Sequence, residues 1–394
     1  KLMNLYEKTN DFKNFQKLLN KFFKNFIVNE KKNILLLYKS LLLNRKSNFI
    51  DSQKIIIDKN LVYELKNNKS LLSRLFDLES KNYEKLNDYK LAFQKIQQRN
   101  NIILNFNENK IFDGKNIYKS MDKYKFFYTK DNVEKINSKL NYQNDENLVF
   151  LVGFPRSGTT LLDSILRSHS EINVLEEKPY LLNLRHAFFK QNNNNLFSLL
   201  NITQDIKDDI RNEYYKKIIS QNKDNKKIII DKFPLTIIEL GFVKCIFPNS
   251  KIILAMRHPC DVVTSCFFSS FTINDAMTNF LKWNDTIKFY NKVFDLFEFY
   301  SRELNLDYLN VKYEEVIRDF KHNAQKITRF IGLNYEKNME NFFVTARNRS
   351  KISTPSYSQV INPLYTTSIE RWKNYPNAKK TERQLSKWIK KFKY

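Results

Sequence analysis

The stretch Leu148–Leu162 constrains the fold more than any other segment, because it joins a strand-like run to a glycine-rich turn. Its first residues, Leu-Val-Phe-Leu-Val, form a short apolar run typical of a buried strand. The run ends at Gly153, and helix-compatible residues resume after Gly158. Two glycines at this spacing, between a strand and a helix, predict a loop whose backbone N–H groups hold a phosphate-like anion.

The polar residues of this loop narrow the choice of anion. Arg156 supplies a planar cation, and Ser157, Thr159 and Thr160 supply hydroxyl donors. In loops that bind nucleoside triphosphates, a lysine follows the second glycine and reaches the β- and γ-phosphates, whereas this chain has Thr159 there. We therefore expect a phosphate-like ligand other than the γ-phosphate of ATP. An ordinary strand–turn–helix corner is the simpler alternative.

Residues 153–160, Gly-Phe-Pro-Arg-Ser-Gly-Thr-Thr, resemble the 5′-phosphosulfate loop of sulfotransferases that use 3′-phosphoadenosine-5′-phosphosulfate (PAPS). They are similar in particular to bacterial sulfotransferases with tetratricopeptide repeats, which resemble tyrosylprotein sulfotransferases in this domain. The resemblance implies a P-loop-type α/β fold, with a mainly parallel sheet flanked by helices, after an all-α helical domain. It also implies nucleotide contacts from Pro155, Arg156, Ser157, Gly158, Thr159 and Thr160, with Arg156 acting in catalysis as well.

Composition and charge exclude several other classes of protein. The 394 residues carry a net charge of +25, but lysine is spread along the whole chain, so we predict no nucleic-acid partner. No apolar run reaches the about 20 residues of a membrane span. The three cysteines match neither a disulfide framework nor a metal site, so we expect a cytoplasmic protein.

Residues 1–105 show helical periodicity and predict an α-helical region. Within it, residues 71–105 resemble a tetratricopeptide unit, with Ser80, Tyr83, Tyr89 and Ala92 at its small and aromatic positions and a turn at Asn87-Asp88. This copy is degenerate, because Glu79 stands where the unit usually has leucine. A plain helical bundle is equally compatible with residues 1–70. In either form, the region is predicted to bind a protein partner or the substrate, or to self-associate.

Residues 106–146 are predicted to connect this region to a second domain, residues 147–394, with one helix near Asn132–Leu140. In the second domain, strand-like runs at Ile172–Leu175, Lys227–Ile230, Lys251–Met256 and Leu309–Val311 alternate with helical stretches at Leu235–Phe247, Asp261–Phe268 and Asp275–Tyr300. This alternation predicts a mainly parallel sheet with helices on both faces and a ligand at the carboxyl ends of its strands.

Two further clusters follow predicted strand ends and are expected to meet the loop in one crevice. The first is Asp231-Lys232, and the resemblance implies that Lys232 contacts the transferring sulfuryl group. Ile-Ile-Ile-Asp231 is also similar to a Walker B strand, so a P-loop NTPase or kinase that uses Mg²⁺–ATP is the runner-up function. A non-catalytic repeat scaffold is a third hypothesis.

The second cluster begins at Arg257, where a strand ends and a helix starts. Arg257 and Ser265 resemble the family's 3′-phosphate site. Two phosphate sites in one chain favour a bisphosphonucleotide over ATP. The resemblance over 356–372 implies two more cofactor contacts, Ser356 and Arg371.

Sulfuryl transfer to a hydroxyl requires a base but no metal ion, and we expect no metal ion in this protein. The resemblance places the base at Glu177, although Glu176 is an alternative and the pair could instead cap the following helix. His169 is a rival base that we interpret as structural. A peptide tyrosine, a sugar hydroxyl and a small phenol all fit as the acceptor.

Overall fold

The computed structural model describes residues 2–8, 11–25, 29–106, 111–138, 145–222, 226–347, 364 and 367–394. A helical N-terminal region comes first, with its own apolar core. Its helices are α1 (Leu2–Lys8), α2 (Phe12–Asn25), α3 (Asn29–Arg45), α4 (Phe49–Asp58), α5 (Leu61–Glu64), α6 (Lys69–Lys85) and α7 (Tyr89–Phe106).

Two helix pairs of this region, α3–α4 and α6–α7, are built alike. In the first, the Ser40 hydroxyl donates to the Ser52 carbonyl oxygen at 2.7 Å; in the second, the Ser80 hydroxyl donates to the Ala92 carbonyl oxygen at 2.8 Å. Both turns contain a residue in the left-handed conformation, Ser47 with φ 62° and Asn87 with φ 63°. The predicted turn at Asn87-Asp88 is confirmed, whereas the assignment of tetratricopeptide units stays a prediction.

The segment predicted as a connection has two helices in the part that the structure describes, α8 (Gly114–Phe127) and α9 (Lys130–Ser138). The second agrees with the helix predicted near Asn132–Leu140. Met121 and Phe127 of α8 and Ile136 of α9 are buried in the large core that covers one face of the sheet, and α7 adds Phe93 to that core. The linking helices and α7 therefore pack together with the sheet.

Within the described ranges, the sheet has five parallel strands in the order β2-β3-β1-β4-β5. The strands are β1 (Leu148–Gly153), β2 (Ile172–Glu176), β3 (Ile228–Lys232), β4 (Lys251–Met256) and β5 (Tyr308–Lys312). All of β1 is buried, as expected for a central parallel strand covered on both faces. Its side chains alternate between the two cores, with Phe150 and Val152 in one and Val149 and Leu151 in the other. The predicted parallel sheet is confirmed.

The remaining helices cover the two faces of this sheet. They are α10 (Thr159–Arg167), α11 (Tyr180–Gln191), α12 (Gln204–Ile219), α13 (Leu240–Ile246), α14 (Pro259–Phe268), α15 (Asp275–Thr278), α16 (Trp283–Glu303), α17 (Tyr313–Arg318), α18 (Phe320–Phe330), α19 (Phe342–Arg347) and α20 (Ala378–Lys391). Short 3₁₀ turns lie at Leu196–Asn201, Pro234–Glu239, Asn279–Leu281, Lys337–Asn341 and Arg371–Asn374. Across the described ranges, we find no helix with both the length and the apolar character needed to span a membrane.

The long helix predicted over Asp275–Tyr300 is wrong, because the chain breaks between α15 and α16. Lys282 is extended there, with φ −124° and ψ 136°. The Asn279 amide donates to the Asp275 and Ala276 carbonyl oxygens, and the Thr286 hydroxyl donates to the Asn279 carbonyl oxygen at 3.1 Å. These side-chain bonds satisfy backbone groups at the break and compete with a continuous helix.

Candidate active site

The loop between β1 and α10 needs glycine at both of the positions that the sequence singled out. A Cβ on Gly153 would lie 2.6 Å from the Ala255 carbonyl oxygen of β4. Gly158 has φ +92°, and a Cβ there would lie 2.9 Å from the ring of Tyr313. Backbone conformation at Gly158 and close packing at both positions therefore explain the two glycines.

The loop is attached to α14, the helix that follows Arg257. Arg156 Nε donates to Ser265 Oγ at 2.9 Å, and the Cys266 thiol donates to the Pro155 carbonyl oxygen at 3.2 Å. Arg156 itself has φ 71°, a conformation that is strained for a residue with a side chain and is often found at functional sites. The loop and the predicted 3′-phosphate cluster therefore lie side by side.

Arg257 is held from several directions at the end of β4. Its Nη1 donates to the Arg156 carbonyl oxygen at 3.4 Å, and its Nη2 donates to the Ser368 carbonyl oxygen. Asp261 lies 3.9 Å from the same nitrogen, and the Tyr313 ring lies 5.0 Å from the guanidinium carbon. The Tyr313 and Ser368 hydroxyls are 2.7 Å apart. The returning segment near Ser368 thus packs on the predicted phosphate site.

Several donors in this crevice suit an anionic group. Ser157 Oγ and Arg257 Nε are buried, and neither has a hydrogen-bond partner among the described residues. Thr159 and Thr160 are buried at the start of α10, where the first N–H groups of a helix lack intrahelical acceptors. Buried donors without acceptors are costly unless a ligand supplies the acceptors. The residues present therefore fit a phosphate-bearing nucleotide.

A buried lysine faces three carboxylates at the next strand end. Lys232 Nζ, fully buried, lies 2.9 Å from Glu177 Oε1, 3.6 Å from Glu176 Oε1 and 3.9 Å from Asp163 Oδ2. Asp163 also accepts a hydrogen bond from Arg167 Nε at 2.9 Å. The structure therefore brings the predicted cation and both candidate bases together.

Glu177 differs from Glu176 in backbone and exposure. Its N–H donates to the Lys232 carbonyl oxygen at 2.8 Å and extends the β2–β3 pairing, while its φ is 49°. The Glu177 side chain is 33% exposed and that of Glu176 is 9% exposed. The left-handed turn at Glu177 therefore presents the more accessible of the two carboxylates at this edge.

Asp231 has different surroundings from its neighbour Lys232. Tyr214 donates its hydroxyl hydrogen to Asp231 Oδ2 at 2.7 Å, and burial raises the pKa of Asp231 to about 7. Phe150, its register partner on β1, stacks on Tyr214. Asp231 is thus packed in an aromatic core and not grouped with the carboxylates around Lys232.

The other predicted residues have these positions. His169 is buried past the end of α10, with Nε2 2.8 Å from the Asn334 carbonyl oxygen and Nδ1 accepting from the Glu171 N–H. Arg371 donates two hydrogen bonds, both of 2.6 Å, to Glu84 of α6. Ser356 lies outside the described residues.

Sequence reasoning missed two residues of the site, Asp163 and Asp261. Asp163 approaches Lys232, and Asp261 accepts hydrogen bonds from the Glu370 and Trp372 N–H groups at 2.8 and 3.1 Å. The sequence did contain one indication, since each is the single acidic residue of its helix, α10 or α14. Buried carboxylates of this kind usually have a cationic or hydrogen-bonding partner.

Residues 148–337 match the family model described as the sulfotransferase family. The parallel sheet, the loop after β1 and the clusters at Lys232 and Arg257 all belong to this stretch. The chain therefore contains a domain of the sulfotransferase family.

Named relatives are similar to more than half of the chain. A putative protein-tyrosine sulfotransferase of Caenorhabditis briggsae is 28% identical over 239 residues, which cover 58% of this chain and 81% of that protein. Protein-tyrosine sulfotransferase 2 of Gallus gallus is 24% identical over 251 residues, which cover 61% of this chain and 67% of that protein. Among solved structures, the sulfotransferase domain from the Synechococcus PCC 7002 olefin synthase has a TM-score of 0.46 and 20% identity, covering 65% of this chain and 98% of that chain.

Proposed function

We propose that this protein transfers the sulfuryl group of PAPS to an acceptor hydroxyl. The observation that carries the proposal is the 2.9 Å hydrogen bond between Arg156 and Ser265, which joins the two predicted phosphate clusters in one crevice. A nucleotide with phosphate groups at both its 5′ and 3′ positions can use both clusters at once. ATP has no 3′-phosphate for the second.

Different residues of the chain would bind the 5′ and 3′ groups of the nucleotide. The backbone N–H groups and hydroxyls of Ser157, Thr159 and Thr160 would receive the 5′-phosphosulfate, while Arg257 and Ser265 would receive the 3′-phosphate. Ser356 remains a proposed contact. The bound donor supplies the sulfuryl group, and no metal ion is part of the proposal.

As the acceptor oxygen bonds to sulfur, the bond from sulfur to the 5′-phosphate oxygen breaks, and two cations would stabilise the negative charge that develops on the departing adenosine 3′,5′-bisphosphate. Arg156 is at the loop, and the Lys232 ammonium lies buried at the adjacent strand end. Fixed cations in a site shielded from water stabilise developing charge more strongly than they would in bulk solvent. Lys232 also holds Glu177 by its 2.9 Å contact and so sets the position of the base.

Glu177 would accept the proton of the acceptor hydroxyl as that oxygen attacks sulfur. It is the more exposed carboxylate at Lys232, so an acceptor can reach it more readily than it can reach Glu176. The named relatives are protein-tyrosine sulfotransferases, which favours a peptide tyrosine as the acceptor. We further propose a reducing, cytoplasmic compartment, because Cys245, Cys260 and Cys266 are all buried and form no disulfide.

The proposal is tested by incubating the full chain with sulfur-labelled PAPS and, in separate reactions, a tyrosine peptide, a sugar and a small phenol. We expect labelled product from the peptide. Glu177→Gln should lower kcat by about 10²- to 10⁴-fold with little change in nucleotide affinity, because it removes a general base.

Glu176→Gln is the matched control, since it makes the same chemical change one residue earlier. It should keep most of the activity. Product from the sugar or the phenol alone would change the acceptor class, and larger losses in Glu176→Gln than in Glu177→Gln would move the base. Absence of product with all three acceptors would contradict the proposed activity.

A further inference from the structure

Helix α14 carries the second phosphate cluster and is held at its far end by another part of the chain. It begins next to Arg257, bears Ser265 and ends at Phe268. The last carbonyl groups of a helix have no intrahelical donors and need partners from elsewhere. Here the partner comes from α7, far away in the sequence.

Arg99 of α7 supplies that partner. Its guanidinium donates to the carbonyl oxygens of Phe267, Phe268 and Ser269 at 3.1, 3.0 and 3.2 Å. Only 2% of Arg99 is exposed, and Asp77 of α6 fixes it by accepting a 2.7 Å hydrogen bond. A cation at the C-terminus of a helix also interacts favourably with the helix dipole.

A second contact joins the same helix pair to the other end of α14. Glu84 of α6 accepts two hydrogen bonds from Arg371. On either side of Arg371, the Glu370 and Trp372 N–H groups donate to Asp261, which lies 3.9 Å from Arg257 Nη2. The α6–α7 pair is thus connected to α14 at both ends, by one buried cation and one bidentate ion pair.

We propose that the α6–α7 pair positions the 3′-phosphate site, with Arg99 and Glu84 as positioning residues for Arg257 and Ser265. The inference rests on the proposed PAPS-dependent function. It adds that preference for a nucleotide with a 3′-phosphate depends on the helical region, whose role therefore extends beyond binding an acceptor or a partner. Neither residue touches the nucleotide; each acts through the position of α14 and the segment 370–372.

The same helix pair provides a control for effects on stability alone. Lys95 of α7 pairs with Glu79 of α6 at 3.0 Å, in an ion pair within the helix pair. Loss of Lys95 should weaken the packing of α6 on α7 and leave the carbonyl groups of α14 capped by Arg99. If Arg99 only stabilises the fold, Arg99→Met and Lys95→Met should therefore have similar effects.

The experiment titrates the full chain and its Arg99→Met, Glu84→Gln and Lys95→Met variants with adenosine 3′,5′-bisphosphate and, separately, with adenosine 5′-monophosphate. The readout is the ratio of the two affinities, which isolates the contribution of the 3′-phosphate. We expect the ratio to fall about tenfold in Arg99→Met and in Glu84→Gln, with the monophosphate affinity retained. Lys95→Met should lower Tm and leave the ratio unchanged.

An unchanged ratio in Glu84→Gln, or an equal fall in Lys95→Met, overturns the inference. Glu84 is partly exposed, so its variant carries the test if Arg99→Met fails to fold. A wild-type chain that binds both nucleotides equally overturns the proposed function itself. If the wild type instead prefers the bisphosphate over the monophosphate and the Arg99 and Glu84 variants keep this preference, only the further inference fails.

Discussion

Asp231 and Lys232 are neighbours in the chain but serve opposite sides of the sheet, because successive side chains of a strand alternate. Asp231 contacts Tyr214 in the core beside α12, whereas Lys232 approaches Asp163 of α10. The sequence Ile-Ile-Ile-Asp is similar to a Walker B strand, yet its carboxylate is packed in an aromatic core. This arrangement supports Lys232 as the functional residue of the pair.

Asp231 should make stability depend on pH. Its pKa is about 7 in the folded chain, against 3.8 for an unperturbed aspartate, so the folded state binds the proton more tightly. The free energy of unfolding should therefore fall as pH rises from about 4 to about 7. Asp231→Asn keeps an acceptor for Tyr214 and should flatten this dependence, as measured by denaturant unfolding at about pH 5 and about pH 8.

The same variant distinguishes the proposed sulfuryl transfer from the runner-up function, an enzyme that uses Mg²⁺–ATP. Asp231→Asn should retain the affinity for adenosine 3′,5′-bisphosphate, because Asp231 contacts Tyr214 and not the loop. Loss of nucleotide binding in a folded Asp231→Asn chain would contradict this assignment and favour the Mg²⁺–ATP hypothesis.

Some site residues can be predicted from the sequence because a local pattern defines them. Arg156, Lys232 and Arg257 each lie at or just after the carboxyl end of an apolar strand, and parallel strands place these ends together. The approach of Asp163 to Lys232 depends on how α10 packs on the sheet, which no local spacing encodes. Likewise, the bidentate contact of Arg371 with Glu84 joins segments far apart in the chain.

At the scale of elements, Gly158 sets where α10 begins. Gly158→Ala should destabilise the chain by about 1–2 kcal/mol, because alanine is unfavourable in the left-handed conformation of this position. The added Cβ should also displace Tyr313 from Arg257. We expect a lower Tm together with weaker bisphosphate binding, measured by thermal unfolding and calorimetry.

Gly332→Ala is the matched control. Gly332 has φ +78°, but a Cβ there would meet nothing within 4 Å. Gly332→Ala should lower stability only through the left-handed backbone conformation and leave the nucleotide affinity unchanged. Equal effects of the two variants on affinity would show that the loop geometry around Gly158 does not matter for binding.

Elements with strong periodicity were predictable, and their arrangement was less so. The strand predicted over Lys251–Met256 has those bounds, because its apolar run is short and uninterrupted. The break between α15 and α16 arises from hydrogen bonds of Asn279 and Thr286 that a periodicity argument does not see. The strand order is likewise set by tertiary packing.

At the scale of the whole molecule, α7 joins the N-terminal helices to the sheet domain. Phe93 stacks on Phe267 at 5.3 Å and meets Trp283 edge-on at 5.1 Å. Removing residues 1–67 keeps Asn68, the N-terminal cap of α6, and should leave a folded chain with a lower Tm. Removing residues 1–106 should prevent folding, since losing the Phe93 side chain alone costs about 3–5 kcal/mol.

Circular dichroism and bisphosphate binding of the two shortened chains measure this difference. A well-folded, nucleotide-binding chain that starts at residue 107 would contradict the view that α7 is integral to the sheet domain. It would instead support the boundary predicted at residue 105.

Calorimetric titration of the full chain with adenosine 3′,5′-bisphosphate and, separately, with ATP and Mg²⁺ tests the proposed function most directly. We expect the bisphosphate to bind, and Arg257→Ala to weaken its binding by about ten- to hundredfold through loss of a charged phosphate contact. Arg302→Ala, which removes an exposed arginine paired with Glu303, should have no effect. Preferential binding of Mg²⁺–ATP, or bisphosphate binding that Arg257→Ala leaves unchanged, would overturn the proposed function.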